Sequence, residues 1–275
     1  MLLDGKLVRE DLLKELKNKY KNIKLGLSVI QIGDDIASTK YVSQKEKLAK
    51  ELGVNFKLIK SDNINTNDLL NEIDKLNQDS SIHGIIVQLP IPKDIDYNKV
   101  RNRINPNKDI DGVNDINIMR LVTNNDDALI PCTALGVLRI LEYYNITLEG
   151  MDVTIIGRSI HIGKALYNLL LNRNCTVSIC HSKTKDITKY TKNCDIIITS
   201  VGKANFIKQE MINDNAIIID VGFNYLDGKI CGDVSKDVLN YKYLTPVPGG
   251  VGQMTVYCIY ENLLKAYDLL KKLNN

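Results

Sequence analysis

Tryptophan is absent from the 275 residues, and phenylalanine and histidine each occur only three times. Aromatics make up 6% of the chain, and 36 Lys+Arg against 33 Asp+Glu leave a formal charge of only +3. That excludes a strong basic field, so neither nucleic acid nor an anionic membrane is expected as the main partner; a small anionic ligand fits better. The longest apolar runs, such as Gly84–Val87 and Ala216–Ile219, fall far short of the roughly 18 residues a membrane-crossing helix needs. The opening Met1-Leu2-Leu3-Asp4-Gly5-Lys6 places an acid at position 4 and has no apolar block before a small-residue cleavage site, which argues against a secretory signal. The six cysteines (Cys132, Cys175, Cys180, Cys194, Cys231, Cys258) form no C-x-x-C and have no histidine pair at zinc spacing. Reduced, mostly buried thiols in a cytoplasmic protein without a metal are therefore expected, with His83 and His161 structural.

With 44% hydrophobic and 25% charged residues, the composition is that of an ordinary globular protein, and the length suits roughly two lobes. In the first half, β-rich runs at Leu25–Ile32, Asn55–Ile59 and Gly84–Leu89 alternate with amphipathic segments at Arg9–Tyr20, Ser38–Leu52 and Thr66–Gln78. A connecting helix is expected from Thr133, as N-cap, to about Tyr144. The pattern then restarts with runs at Asp152–Ile156, Thr176–Cys180, Asp195–Ser200 and Ala216–Val221, a helix at Gly163–Asn172, and a last helix at Val256–Leu273. Such βα alternation predicts an α/β fold of two α/β lobes with mostly parallel sheets, the C-terminal lobe Rossmann-like, and a cleft between them.

Four segments carry candidate chemistry. On the helix from Ser38, Tyr41 and Lys45 lie four apart on the stripe continued by Leu48 and Leu52, so one lysine faces inward. It is either a snorkelling lysine or a partly desolvated amine fit to shuttle a proton. Gln88 follows the apolar run Gly84–Val87 and precedes Leu89-Pro90, at the strand rim where open α/β sheets place ligands; capping a turn is the alternative. Asp109 and Asp111 in Lys108-Asp109-Ile110-Asp111-Gly112 are turn residues or a carboxylate that grips an amidine-like heterocycle. Gly157-Arg158-Ser159-Ile160-His161-Ile162-Gly163 lies between a strand and a helix, where backbone N–H groups can hold a pyrophosphate, although Ser159 replaces the middle glycine of G-x-G-x-x-G and the last comes one residue late. Where an NAD site offers an Asp or Glu to the ribose, the chain has Cys180-His181-Ser182-Lys183-Thr184. Arg158, His181 and Ser182 are donors suited to a 2′-phosphate, favouring NADP; otherwise they are a solvated loop arginine and a strand-capping histidine. Thr245-Pro246-Val247-Pro248-Gly249-Gly250-Val251-Gly252 allows close backbone approach to a flat ligand, as it would any tight loop.

Taken together and in this order, Tyr41-x-x-x-Lys45, Val87-Gln88-Leu89-Pro90, Lys108–Gly112, Gly157-Arg158-Ser159, His181–Thr184 and Pro246–Gly252 resemble the bifunctional methylenetetrahydrofolate dehydrogenase/methenyltetrahydrofolate cyclohydrolase family over essentially the whole chain. The resemblance implies an NADP-dependent oxidation of methylenetetrahydrofolate followed by hydrolysis to formyltetrahydrofolate. It implies a catalytic set of Lys45, Tyr41, Gln88 and Asp111, and folate contacts from Tyr41, Val87, Gln88, Leu89, Asp111, Pro248, Gly249 and Gly250. A cofactor site is implied at Gly157, Arg158, Ser159, Ile162, Gly163, His181, Ser182, Ser200, Val201, Gly202, Val221, Gly222 and Thr255. It further implies a folate-binding domain at 1–132 with the helix 256–275 packed back on it, an NADP-binding domain at 133–255, and a homodimer through the second lobe. The chain departs from the family pattern at Ala134, Ala165 and Gln253, where proline is usual; these changes loosen loop or helix starts without removing a reactive group. A dehydrogenase with weak cyclohydrolase activity and a non-catalytic nucleotide-binding protein are the alternatives. A second polar set at Lys45, Gln88 and Asp111 argues against the latter.

Overall fold

The computed structural model describes residues 1–273, and the chain divides into two compact units, each discontinuous in sequence. One comprises Met1–Leu12 and Pro131–Cys258; the other comprises Leu13–Ile130 and the chain from Ile259 onward. The divisions fall inside helices α1 (Gly5–Tyr20) and α9 (Val251–Leu273). Residues 1–12 thus cluster with the later unit rather than with the lobe expected at 1–132. The Leu3 side chain is fully buried, and its N–H donates to the Leu244 carbonyl at 2.8 Å.

In the unit containing Leu13–Ile130, strands β1 (Gly26–Ile32), β2 (Asn55–Ser61) and β3 (Gly84–Val87) form a parallel sheet in the order β2-β1-β3. Every residue of β1 is buried, as a central parallel strand covered by helices requires. Helices α2 (Ile36–Leu52) and α3 (Thr66–Gln78) are the crossovers. The Asp35 carboxylate caps α2 by accepting the Ser38 N–H at 2.7 Å, and Gly53 at φ 71° closes the helix in a left-handed conformation. Ile30, Leu69, Ile73, Ile82 and Ile85 form the core. Helices α4 (Tyr97–Arg103) and α5 (Asp115–Val122) follow β3; both are too short to display a periodic apolar stripe.

The other unit runs through α6 (Cys132–Tyr143), β4 (Asp152–Ile156), α7 (Gly163–Leu171), β5 (Thr176–Cys180), α8 (Thr188–Thr191), β6 (Ile196–Thr199) and β7 (Ile217–Asp220). A hairpin of β8 (Asn224–Leu226) and β9 (Lys229–Cys231) comes next, then β10 (Tyr243–Leu244). Its five-stranded parallel sheet has the order β10-β7-β6-β4-β5, a Rossmann-like arrangement around Ile156, Ile197, Ile207 and Ile218. In both sheets the first strand sits between the second and the third. Successive crossovers therefore leave it in opposite directions, creating a switch point at the carboxyl ends of β1 and β3 and another at β4 and β6.

Several boundaries differ from expectation, among them the start of α1 at Gly5 rather than Arg9. Helix α9 starts at Val251 rather than Val256, and β3 stops at Val87, although the Gln88 N–H still donates to the Ile30 carbonyl at 2.8 Å. Helix α6 is entered from Pro131 at φ −48° and ψ 123° with no side-chain cap, so Thr133 lies in its first turn. All six cysteines are free, with Cys231 partly exposed and the others buried. Among the described residues, no helix is long and apolar enough to cross a membrane.

Candidate active site

Lys45 lies in the middle of α2 and is only 7% exposed. Its Nζ donates to Gln88 Oε1 at 2.5 Å, while Gln88 Nε2 donates to the Leu89 carbonyl at 2.7 Å, which fixes which end of the amide faces the lysine. The lysine is therefore held by a designated acceptor at the β1/β3 switch point, which a snorkelling side chain is not. Tyr41, one turn earlier, is half-buried, and that burial pushes its phenol up from the ordinary value. The Tyr260 hydroxyl donates a short hydrogen bond to the Lys45 carbonyl, and Tyr20 Oη donates to the Tyr260 carbonyl at 2.6 Å. Two buried tyrosines thus brace the turn of helix that carries the amine.

Asp111 reaches the same end of β3 by another route. The Ile85 N–H donates to the Lys108 carbonyl at 2.8 Å and Asp109 bridges Ile85 in parallel, so the segment runs beside β3 toward the level of Val87. Asp111 is half-buried, and with Val87, Tyr97, Arg101 and Asp109 it lines one small cavity. Two residues of the same motif anchor it. Lys108 Nζ donates to the carbonyls of Leu76, Asn77 and Asp79 at 3.0, 2.8 and 2.8 Å, closing the carboxyl end of α3. Asp109 Oδ2 accepts the Asn114 N–H at 2.8 Å and Asn117 Nδ2 at 2.9 Å. Its Oδ1 is buried without a hydrogen-bond partner, and burial pushes the carboxyl up to about 7.

In the other unit, the turn after β4 is built for close approach. Gly157 has φ 129°, and a Cβ there would lie 2.5 Å from Ser200 Oγ, placing the loops after β4 and β6 against each other at the switch point. A Cβ on Gly163 would lie 2.1 Å from the Gly157 carbonyl oxygen. Ile162 precedes α7 without a side-chain cap, and in the first turn the Lys164 N–H donates to the Ser159 carbonyl at 2.9 Å; a helix start of this kind is where a pyrophosphate is ordinarily held. At the end of β5, His181 Nδ1 accepts the Lys183 N–H at 3.1 Å, which leaves Nε2 as the ring donor; Arg158 and Ser182 are exposed. These donors, without a carboxylate at the end of β5, fit a dinucleotide bearing a 2′-phosphate. Val221 and Gly222 follow β7, with the Val221 N–H donating to the Thr199 carbonyl at 2.9 Å. Pro248, Gly249 and Gly250 belong to this unit as well: Gly249 has φ 113°, its carbonyl accepts the Lys6 N–H at 3.1 Å, and a Cβ on Gly5 would meet Gly250 O at 2.2 Å. Thr255 Oγ1 lies 3.5 Å from Thr133 Oγ1. Among the described residues, no group of three His, Cys, Asp or Glu could hold a metal ion, and His83 has a structural role, its Nδ1 accepting the Gly26 N–H at 3.1 Å.

Residues 3–111 match the catalytic domain, and residues 131–271 the NAD(P)-binding domain, of tetrahydrofolate dehydrogenase/cyclohydrolase. The chain belongs to this family. It is 44% identical over 274 residues to the bifunctional protein FolD of Bacillus velezensis, covering 96% of each chain. The bifunctional FolD enzyme of Campylobacter jejuni has a TM-score of 0.95 at 41% identity, covering 98% of this chain and 99% of that one. The Trypanosoma brucei dehydrogenase-cyclohydrolase, solved with NADP cofactor and inhibitor, has a TM-score of 0.91 at 31% identity, covering 98% of this chain and 97% of that one.

Sequence reasoning about this tetrahydrofolate dehydrogenase/cyclohydrolase chain missed the braces behind the site. Tyr20 and Tyr260 look like ordinary apolar stripe positions, and their mutual contact spans 240 residues of sequence. Asp220 carried a readable signal, because a carboxylate ending the apolar run Ile217-Ile218-Ile219 is the same kind of exception as Gln88 after β3.

Proposed function

We propose that this chain oxidises 5,10-methylenetetrahydrofolate with NADP⁺ to 5,10-methenyltetrahydrofolate and hydrolyses that product to 10-formyltetrahydrofolate. The observation that carries this reading is the buried Lys45 amine held 2.5 Å from Gln88 Oε1 in a chain that matches both domains of the family. The unit containing Leu13–Ile130 takes the folate, and the unit containing Pro131–Cys258 takes the dinucleotide.

NADP⁺, when bound, supplies the hydride acceptor. The protein's part in that step is proximity and orientation. The Gly157–Gly163 turn and the start of α7 hold the pyrophosphate, with Ser200, Val201, Gly202, Val221, Gly222 and Thr255 completing the cofactor site. Arg158, His181 and Ser182 select the 2′-phosphate. Asp111 accepts the paired donors of the aminopyrimidine edge, while Tyr41, Val87 and Leu89 line the flat ring system. In the hydrolytic step, water adds to the methenyl carbon and its oxygen, on becoming the formyl carbonyl, loses two protons: one goes to solvent, and the other reaches the ring nitrogen as its bond to that carbon breaks. Lys45 Nζ passes that proton, Gln88 keeps the amine in place, and Tyr41 flanks it.

A cytoplasmic location accords with the free, mostly buried cysteines. A homodimer through the dinucleotide-binding unit is supported by the exposed Phe223, Tyr225 and Leu226 at the β8–β9 hairpin, an apolar group that a second copy would cover.

The test is to incubate purified protein with methylenetetrahydrofolate and either NADP⁺ or NAD⁺, and to identify the folate product by mass spectrometry without an acid quench. Formyltetrahydrofolate made with NADP⁺, faster than protein-free hydrolysis of methenyltetrahydrofolate, is the expected result. Methenyl product alone would leave a dehydrogenase only, and no reduced cofactor with either nucleotide would overturn the reading.

A further inference from the structure

Two buried carboxylates behind the dinucleotide site have no part in the chemistry above. Asp220 ends β7 and is 3% exposed; Asp233, two residues past β9, is fully buried. Asp220 Oδ1 accepts the N–H groups of Gly222 and Asp233 at 2.8 and 3.0 Å, and its Oδ2 accepts that of Val234 at 2.9 Å. One carboxylate therefore fixes the backbone that carries the other. Asp233 in turn accepts five donors. Its Oδ2 takes Thr199 Oγ1 at 3.1 Å and the N–H groups of Val201 and Gly202 at 2.7 and 3.3 Å, and its Oδ1 takes the Lys203 N–H at 2.9 Å and Asn224 Nδ2 at 3.0 Å.

Three consecutive N–H groups converging on one point form a nest, an arrangement that ordinarily collects a phosphate or another anion. Here the nest follows β6, on the loop that meets Gly157 at the switch point. We propose that Asp233 is a positioning residue for dinucleotide binding: as an internal anion it fills the Val201–Lys203 nest, and so shapes the Ser200–Gly202 loop and reserves the pyrophosphate for the Gly157–Gly163 turn. The loop then meets the dinucleotide with its side chains and carbonyls rather than with its N–H groups. The inference rests on the proposed dinucleotide site and makes Asp220 the support of Asp233. Glycine is obligatory between them, since a Cβ on Gly232 would lie 1.9 Å from Asp220 Oδ2.

The test uses the full-length chain, measuring NADP⁺ affinity by titration calorimetry alongside cyclohydrolase turnover on methenyltetrahydrofolate, which consumes no dinucleotide. Asp233→Ala is expected to weaken NADP⁺ binding about tenfold or more while cyclohydrolase turnover persists, and added formate, a carboxylate small enough for the vacated nest, should restore much of the affinity. The isosteric Asp233→Asn keeps the volume but turns an NH₂ toward donors; it should weaken binding without responding to formate, and it serves if the alanine variant does not fold. Unchanged NADP⁺ affinity in both variants would overturn the inference, as would a parallel loss of both activities that formate does not relieve. Wild-type protein that binds no NADP⁺ would instead overturn the dinucleotide site itself.

Discussion

At the scale of single residues, the environment of each polar group decides its use. Lys45 and Lys108 are both buried lysines, 7% and 4% exposed, but Lys108 spends its three N–H bonds on backbone carbonyls at the end of α3, whereas Lys45 meets a side-chain amide beside a strand terminus. Lys45→Met should therefore lower cyclohydrolase kcat by roughly 10²–10⁴-fold, the range for loss of a positioned proton-transfer group, while folate binding and the dehydrogenase rate fall much less. Steady-state assays of the two steps on the same preparation check this, and unchanged hydrolysis would remove Lys45 from its role. Asp109 makes the complementary point. Burial pushes its carboxyl up to about 7 in the fold from the ordinary 3.8, so between those values the native state holds a proton that the unfolded chain has released. A native state that binds the extra proton loses stability as pH rises through that window, with a slope of at most ~1.4 kcal/mol per pH unit. Asp109→Asn has no such proton to lose. Urea denaturation should show wild type losing stability relative to Asp109→Asn from pH 5 to pH 7.5, and a constant difference would mean that Asp109 is ionised throughout.

At the scale of elements, what was legible in the sequence is what repeats. The long crossovers α2 and α3 and the apolar strands β1, β4 and β7 show through their periodicity and end signals, as does the glycine turn before α7. Helices α4 and α5 are hidden because they are a single apolar contact wide, set by the caps Asp96 and Asn114 rather than by a stripe. The start of α9 is masked because Gly249-Gly250-Val251-Gly252 looks like loop, yet a Cβ on Gly252 would meet nothing within 4 Å, so that glycine sits in the first helical turn without a steric need for it. Helix α9 also shows how an element distant in sequence can serve the site. The Tyr260 hydroxyl bonds the Lys45 carbonyl, and Asn262 Nδ2 bonds the carbonyls of Ile110 and Ile130 at 2.9 and 2.8 Å, so one helix face ties down both the lysine helix and the Asp111 segment. Tyr260→Phe keeps the ring and removes one buried hydrogen bond. It should cost about 1 kcal/mol of stability by chemical denaturation and slow the hydrolytic step more than the oxidative one, because the second needs no proton from Lys45. Equal slowing of both would place Tyr260 in the general core instead.

At the scale of the whole molecule, the two sheets share an order, and each candidate site falls where that order reverses, so a polar residue at a strand's carboxyl end marks Gln88 in the sequence and a glycine turn between strand and helix marks Gly157. The discontinuity of the units was not legible, because it depends on pairing between residues more than 200 positions apart that no local pattern records. Leu3 is the clearest case: it opens the segment that matches the catalytic domain, yet its N–H pairs with the Leu244 carbonyl and its side chain is fully buried in the unit containing Pro131–Cys258. Asp4 then starts α1 by accepting the N–H groups of Lys6 and Leu7 at 2.9 and 3.2 Å, which holds the segment in register with the sheet edge. Leu3→Ala should cost roughly 2–5 kcal/mol, as for a large-to-small change in a closed core. The location of that cost is the informative part. Hydrogen exchange read by mass spectrometry should show protection falling first in β7 and β10, with β1 and β3 less affected, and NADP⁺ should recover part of the loss by binding the native unit. Protection lost first in β1 and β3 would instead assign the opening residues to the folate-binding unit.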